Sequence, residues 1–304
     1  MHTKLWLLSL ITAGLLLGCS SQQPAPEPET IPQQDVVEAV SITPELEPTF
    51  DLSQGLTTDA APVEDTISFT LETVTHNDSV YAPDDDSVLL ARYDYYLPYL
   101  QVIDETNAQA CAVADSFNAQ FSMWEEANGF DEMVTWAQEN YALNLEQGID
   151  WLGHYQSELS TTPFQTTGYI SICGEYYSFT GGAHGNTVLV SWLFDLNTAT
   201  FISPLSLATD PQAFSTAVAE LLIAQVQEGT LEGYPLEELY WDDYQTVLST
   251  WDSYCVYFDD DGMHIAFSPY ELAAYAAGAQ SFVLDYQTIT PYLSEQALVM
   301  LNLI

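Results

Sequence analysis

The stretch YISICGEYYSFTGGAHGNTVLVSWLF, which runs from Tyr169 to Phe194, decides the fold. Its two ends, 169–179 and 187–194, are rich in β-branched and aromatic residues and predict two neighbouring strands. The turn between them, Gly181-Gly-Ala-His-Gly185, places three glycines around one histidine. Glycine adopts backbone angles that other residues avoid, so we expect an unusual turn that exposes the imidazole of His184.

Strands and helices occur in blocks along the rest of the chain. Strand-like patterns are found at 66–74, 88–96, 151–159, 200–202, 253–258 and 263–267. Helical spacing of apolar residues is found at 105–127, 131–145, 211–227 and 236–250. Asp261-Gly262 suits a tight hairpin turn between the last two strands. Because blocks of like elements favour antiparallel pairing, we predict an α+β fold with a largely antiparallel sheet packed with helices.

The N-terminus has the parts of a bacterial lipoprotein signal peptide. Lys4 provides a positive charge, 5–17 form a short apolar core, and Gly18-Cys19 provide small residues at a cleavage site. The apolar core is short for a membrane span, although an uncleaved anchor is the alternative. We therefore expect that 1–18 are removed, that Cys19 carries acyl chains such as palmitate, and that the protein is held outside the cytoplasm on a bacterial membrane.

Residues 19–63 are rich in Pro, Gln, Glu and Thr and show no sustained periodicity. Such a segment buries too little apolar surface to order itself, and it is predicted to be a disordered tether. The rest of the chain, about 240 residues, is long enough for a sizeable core in one or two domains.

The charge balance excludes some partners. The chain has 44 acidic residues against two basic ones, Lys4 and Arg92, and a formal net charge of −42. Nucleic acid and anionic lipid surfaces are poor partners, because phosphate groups need clustered Lys and Arg. Cations and basic proteins are favoured, since a field of one sign attracts the opposite charge. Solubility alone, or an acidic salt-adapted proteome, would produce the same balance.

Several catalytic and metal-binding signatures are missing from the sequence. It contains no GxSxG, HExxH, GxGxxG or phosphate loop, and no short His or Cys spacing that indicates a zinc site. Asp259-Asp-Asp-Gly262 superficially resembles a calcium loop, but Tyr257 and Ser268 occupy its first and twelfth ligand positions. We therefore predict no metal and no cofactor.

His184 has three open roles in this sequence. Its ring can hydrogen-bond the backbone and hold the turn, contact a partner, or act as a metal ligand or general base. A second dense stretch, 266–278, contains Tyr270, Glu271 and Tyr275. A carboxylate near the turn could orient His184, so the alternative function is a hydrolase with His184 and Glu271 as an acid–base pair. The candidate binding residues are Gly181, Gly182, His184, Gly185, Asn186, Tyr270, Glu271 and Tyr275.

The expected exported location allows the cysteines to form a disulfide bond. With Cys19 assigned to lipid, Cys111, Cys173 and Cys255 remain, which allows one disulfide and one free thiol. Cys173 and Cys255 lie in strand-like stretches that each lead into one of the two dense stretches, so they are the preferred pair. Three free thiols are the alternative.

Three motifs occur in order: Gly181-Gly-Ala-His-Gly185, Phe194-Asp-Leu196, and Tyr270-Glu with Tyr275-Ala-Ala-Gly278. Together they resemble RsiV-type proteins, the DUF4163/DUF3298 family, and Tyr93-Asp-Tyr-Tyr-Leu-Pro-Tyr99 is similar to a segment of the N-terminal half of that family. The resemblance implies two family sub-domains in one folded unit, a DUF4163-like part at 64–165 and a DUF3298-like part at 166–304.

The resemblance also implies a function. The anti-sigma member of the family binds lysozyme outside the cell through this region, and other members carry a separate deacetylase domain that this sequence does not show. The expected role is therefore an outward-facing binding domain, with an enzyme less expected. The expected partner is a basic wall-associated protein such as a lysozyme, or peptidoglycan.

Overall fold

A computed structural model describes residues 69–151, 153–231 and 233–304. The signal peptide and the tether predicted for 1–63, with Cys19, lie outside the described residues. The predicted fold class is confirmed: helices pack on a curled, mostly antiparallel sheet. Within the described ranges, no helix has both the length and the apolar character needed to cross a membrane.

The larger sheet has six strands in the order in which they follow along the chain. Its strands are β1 (Phe69–Tyr81), β2 (Leu89–Val102), β3 (Tyr155–Gln165), β4 (Tyr169–Phe179), β5 (Asn186–Asp195) and β6 (Thr200–Phe201). Every neighbouring pair is antiparallel except β2 and β3, which are parallel. A parallel pair needs a crossover connection. Two helices supply it, α1 (Ala108–Ala127) and α2 (Phe130–Gln147).

The described residues that follow β6 form a second layer. It comprises α3 (Pro211–Glu228), β7 (Thr230–Leu231), β8 (Tyr234–Pro235), α4 (Tyr244–Leu248), β9 (Cys255–Phe258), β10 (Met263–Phe267), β11 (Gln280–Leu284), α5 (Tyr286–Ile289) and α6 (Glu295–Met300). Strands β9, β10 and β11 form a three-stranded antiparallel sheet in the order β11-β10-β9. Asp210 caps the start of α3 through its side chain, with Pro211 as the first helical residue.

Helices α1 and α2 cover one face of the large sheet, which we call the back face. Their buried residues recur at helical spacing, as Val113, Phe117 and Phe121 do on α1. These side chains pack against back-face residues such as Leu159 and Phe194. Asn107 caps α1 through its side-chain oxygen, and Gly129, with φ of 63°, separates the two helices.

The three-stranded sheet lies against part of the opposite face, the front face. Strand β9 is the edge nearest to β4 and β5, and no strand of the described ranges pairs with its outer side. Two of its outward N–H groups are satisfied by serine hydroxyls instead: Val256 donates to Ser191 Oγ at 3.1 Å, and Phe258 donates to Ser171 Oγ at 2.7 Å. Serine side chains of the large sheet thus fix the smaller sheet in place.

Some predicted elements were wrong in extent or type. The strand predicted at 151–159 begins at Tyr155, and the helix predicted at 236–250 is broken. It contains a 3-10 turn at Leu236–Glu238 and the short helix α4. The break follows from tertiary contacts, because the N–H of Trp241 donates to the carbonyl of Leu272 at 2.8 Å. Strand β11 and helices α5 and α6 were not predicted.

The back-face core generates the first prediction. Phe117 is fully buried against Phe194 and Phe201, whereas Met123 on the same helix is 41% exposed. We expect Phe117→Ala to lower the free energy of unfolding by about 3–5 kcal/mol through lost burial and a cavity. Met123→Ala, the control, is expected to change it by less than about 0.5 kcal/mol. Urea denaturation measures both, and equal effects would contradict this description of the core.

Candidate functional site

The Gly-Gly-Ala-His-Gly turn joins β4 to β5 and needs its glycines for different reasons. Gly181 and Gly182 have φ angles of 102° and 95°, a region that favours glycine. Gly185 has a different constraint: a Cβ atom there would lie 2.4 Å from the ring of Tyr177. The turn therefore packs its last glycine onto a tyrosine of β4 and leaves the preceding residue, His184, exposed.

The hydrogen bonds of His184 define its tautomer. Its Nδ1 lies 2.8 Å from the carbonyl oxygen of Gly185, which can only accept, so Nδ1 carries a proton. Its Nε2 lies 3.3 Å from the hydroxyl of Tyr270, which donates to it when the imidazole is neutral. The ring stacks on Tyr275 at a centroid distance of 4.4 Å and an angle of 19°. The histidine is thus held on three sides.

Tyr270 is held in an unusual backbone conformation. Its φ is 76°, which costs energy in a residue with a side chain and requires support from its surroundings. Trp241 supplies part of that support, because its indole N–H donates to the carbonyl of Tyr270 at 3.1 Å. Tyr270 remains 48% exposed and Trp241 43% exposed. We call His184, Tyr270, Tyr275 and Trp241 the histidine corner.

Glu271 does not belong to this corner. Its carboxylate accepts the backbone N–H of Ser268 and stays half-buried. Burial raises the pKa of Glu271 above its ordinary value, although the hydrogen bonds from Ser268 oppose the shift. Within the described part of the chain, no hydrogen bond or ion pair joins Glu271 to His184. The structure therefore does not bring together the acid–base pair that the hydrolase alternative requires.

An open groove of about 430 Å³ lies on the front face, on the part that the smaller sheet leaves uncovered. We call it the sheet groove. The spacing of its residues has a simple origin, because alternate residues of a strand point to the same face. It is lined by Gln156, Glu158 and Ser160 of β3, Glu175 and Tyr177 of β4, and Thr187 of β5.

The sheet groove and the histidine corner adjoin one another. Tyr177 lines the groove and also packs against Gly185, the neighbour of His184. The groove is acidic, since Glu158 and Glu175 both contribute carboxylates to it. Arg92 pairs across strands with Gln156. Its Nε lies 3.6 Å from Asp94 Oδ2, so its positive charge is shared with Asp94 and does not fully neutralise Glu158 and Glu175. An aromatic corner thus borders an anionic groove.

The structure brings some of the sequence-predicted residues together and places others elsewhere. His184, Tyr270 and Tyr275 meet, Gly181 and Gly182 shape the turn, and Asn186 is the exposed first residue of β5. The groove residues Glu158 and Glu175 were missed. Their spacing within the strands was visible in the sequence, but which part of the sheet stays uncovered depends on where β9 docks.

The predicted cysteine pair lies in the interface between the two sheets. Cys173 on β4 and Cys255 on β9 are free thiols in this structure, and each shifts the pKa of the other. Cys111 is a third thiol, on α1. Among residues 69–151, 153–231 and 233–304, no group of three or more His, Cys, Asp or Glu side chains is arranged to hold a metal ion.

Two solved structures are similar to this one. A member of the DUF3298 family from Bacteroides fragilis is 16% identical, with a TM-score of 0.60 over 78% of this chain and 98% of that chain. A DUF3298 family protein from Pseudomonas aeruginosa is 15% identical, with a TM-score of 0.45 over 76% of this chain and 97% of that chain. The first likeness shows a shared fold. None of the curated proteins compared with the chain matches it significantly.

The fold and the groove define an α+β domain with an open polar face. Residues 211–287 match the family described as "Protein of unknown function (DUF3298)". The chain therefore contains a DUF3298 domain. The match runs from α3 to the start of α5, so it includes Tyr270, Glu271 and Tyr275, and it excludes the turn that carries His184.

Glu271 generates the second prediction. Because burial raises its pKa, the folded state holds the proton more tightly than the unfolded state. Its ionisation therefore costs stability progressively as the pH rises from the ordinary value of 4.5 through the higher folded pKa. Glu271→Gln does not ionise, so the free energy of unfolding of the wild type, minus that of this variant, is expected to fall over that range.

Urea denaturation at a series of pH values between about 4 and 8 measures this difference. Glu126→Gln, on the exposed surface of α1, removes one carboxylate elsewhere and serves as the matched control. A difference for Glu271→Gln that stays constant, or that rises with pH, would show that burial does not dominate at this position.

Proposed function

We propose that this protein is an envelope lipoprotein whose extracytoplasmic domain binds a basic wall-associated protein, with a lysozyme-like hydrolase as the leading candidate. The observation that carries the proposal is the exposed histidine corner beside the acidic sheet groove. Aromatic rings with polar tips and carboxylates are suited to binding Lys and Arg side chains through cation–π and ionic contacts.

Charge supports a basic partner. The formal net charge of −42 repels anionic polymers and attracts cationic proteins over a distance that salt limits to about 8 Å under physiological conditions. Attraction of this kind increases the association rate, while the choice of partner depends on local fit. The sheet groove and the corner supply that local fit, because both are exposed and adjoin one another.

The motif resemblance supports an RsiV-like role. The Gly-Gly-Ala-His-Gly turn and the Tyr270–Tyr275 stretch resemble the lysozyme-binding region of RsiV-type proteins. The structure brings the rings of His184, Tyr270 and Tyr275 together. We extend the proposal to the N-terminal part, 64–165, as a DUF4163-like partner of the DUF3298-like part at 166–304. Strands from both parts lie side by side in the large sheet, as β3 and β4 do.

The third prediction tests the binding face. We expect the full chain to bind a purified c-type lysozyme at low salt, measured by surface plasmon resonance. Glu158→Gln combined with Glu175→Gln is expected to weaken binding about tenfold or more, because both carboxylates line the groove. His184→Ala is expected to weaken it about fivefold or more by dismantling the corner.

A matched control separates local recognition from general charge. Glu139→Gln combined with Glu146→Gln removes the same charge from exposed positions of α2, on the back face. This pair is expected to weaken binding less than about twofold, through long-range attraction alone. Equal losses in the two double variants would contradict a localised site. Retention on purified peptidoglycan without lysozyme binding would show that the ligand is a glycan and not a basic protein. Binding to neither would overturn the proposal.

The fourth prediction tests the anchor. In a bacterial host, the wild-type chain is expected to incorporate labelled palmitate and to fractionate with membranes, since several acyl chains together give stable attachment. Cys19→Ser is expected to lose the label and to appear in the soluble fraction. Cys111→Ser serves as the control for loss of a cysteine. Membrane association of Cys19→Ser that equals the wild type would contradict a lipid anchor at this residue.

A further inference from the structure

We propose that Cys173 and Cys255 form a disulfide bond that joins the two sheets, and that this bond exchanges with external thiols and disulfides at Cys173. The two cysteines are 82 positions apart in the sequence, on strands of different sheets. This inference is independent of the binding function, because it depends only on the packing of β4 against β9.

The position of the pair follows from the docking of β9. Cys173 pairs across strands with Ser191, and Ser191 accepts the N–H of Val256, the residue after Cys255. Two residues further along β9, Phe258 donates to Ser171. The two backbone-to-serine bonds follow Cys255 along β9 and fix this strand over β4. This docking makes Cys173 and Cys255 neighbours across the interface, and each thiol shifts the pKa of the other.

The two thiols differ in access. Cys255 is buried, with 7% of its surface exposed, whereas Cys173 lines a second cleft of about 180 Å³. Tyr257 and Asp259 lie at the same cleft. The hydrogen bond from Cys255 lowers the pKa of Cys173, while the same bond and burial raise the pKa of Cys255. Cys173 is therefore the more accessible and more easily ionised thiol, and Cys255 is the resolving thiol.

The reaction needs an external disulfide, supplied by a small-molecule disulfide or a disulfide oxidoreductase. The Cys173 thiolate attacks that disulfide, forms a mixed disulfide and releases one thiol. The Cys255 thiolate then attacks the Cys173 sulfur, forms the Cys173–Cys255 bond and releases the second thiol. The protein loses two protons and two electrons, which the external disulfide gains as two thiols.

Peptide mapping tests the bond in the purified full chain after equilibration in a buffer with excess oxidised glutathione. Free thiols are alkylated and the chain is cut with chymotrypsin, because Lys4 and Arg92 are its only tryptic sites. Mass spectrometry is expected to find Cys173 and Cys255 peptides linked and Cys111 alkylated. Reduction is expected to abolish the link and to lower the melting temperature by roughly 5–15 °C.

Variants separate the bond from general effects of reductant. Cys111→Ser is the matched control and should keep both the link and the sensitivity of the melting temperature to reductant. Cys173→Ser combined with Cys255→Ser should lose that sensitivity. Alkylation of both cysteines in the oxidising buffer, or a link to Cys111, would overturn the proposed bond.

Single variants test where exchange occurs. Cys255→Ser is expected to trap glutathione on Cys173 as a stable mixed disulfide, since no resolving thiol remains. Cys173→Ser leaves only the buried thiol, which is expected to react at least about tenfold more slowly. Equal rates in the two variants would overturn exchange at Cys173 even where the bond itself is found.

Discussion

The structure depends on how the backbone N–H groups on the outer edge of β9 are hydrogen-bonded. An unpaired strand edge presents N–H groups that need partners, and in many proteins another strand supplies them. Here Ser171 and Ser191 of the large sheet accept two of these N–H groups. A serine hydroxyl extends from the sheet face, so the edge of β9 is held over the large sheet without joining its strand ladder. This contact holds β9, and with it the sheet formed with β10 and β11, over the front face.

The same contact determines which part of the front face stays open. Because β9 lies over the middle of β4 and β5, the ends of these strands nearest to the turn are left uncovered. Segment 268–275 returns from the smaller sheet to meet the turn, where Ser268 accepts the N–H of Leu189 on β5. The groove and the histidine corner are therefore consequences of one docking geometry.

The local elements were largely predictable because their signals are local. Periodicity and turn residues predict helices α1 and α2, the hairpin before Met263 and the strands on either side of the glycine turn. The helix predicted at 236–250 failed because Trp241 bonds to Leu272, a contact that no local pattern encodes. The groove was missed for the same reason. Glu158 and Glu175 alternate with residues of the opposite face in their strands, as the sequence indicates. Their exposure, however, depends on where the three-stranded sheet packs, and that sheet lies about 100 residues further along the sequence.

Because the chain is almost uniformly acidic, its selectivity for a partner must come from the exposed histidine corner and sheet groove. A chain with 44 acidic residues attracts every cationic protein in a similar way and so distinguishes few of them. Discrimination must come from groups with fixed positions and distinct shapes. Tyr270 is held by the hydrogen bond from Trp241, and His184 is held by Gly185 and Tyr275. A rigid aromatic corner loses little conformational entropy when a partner binds, which makes it the part of this acidic surface best suited to distinguish one basic protein from another.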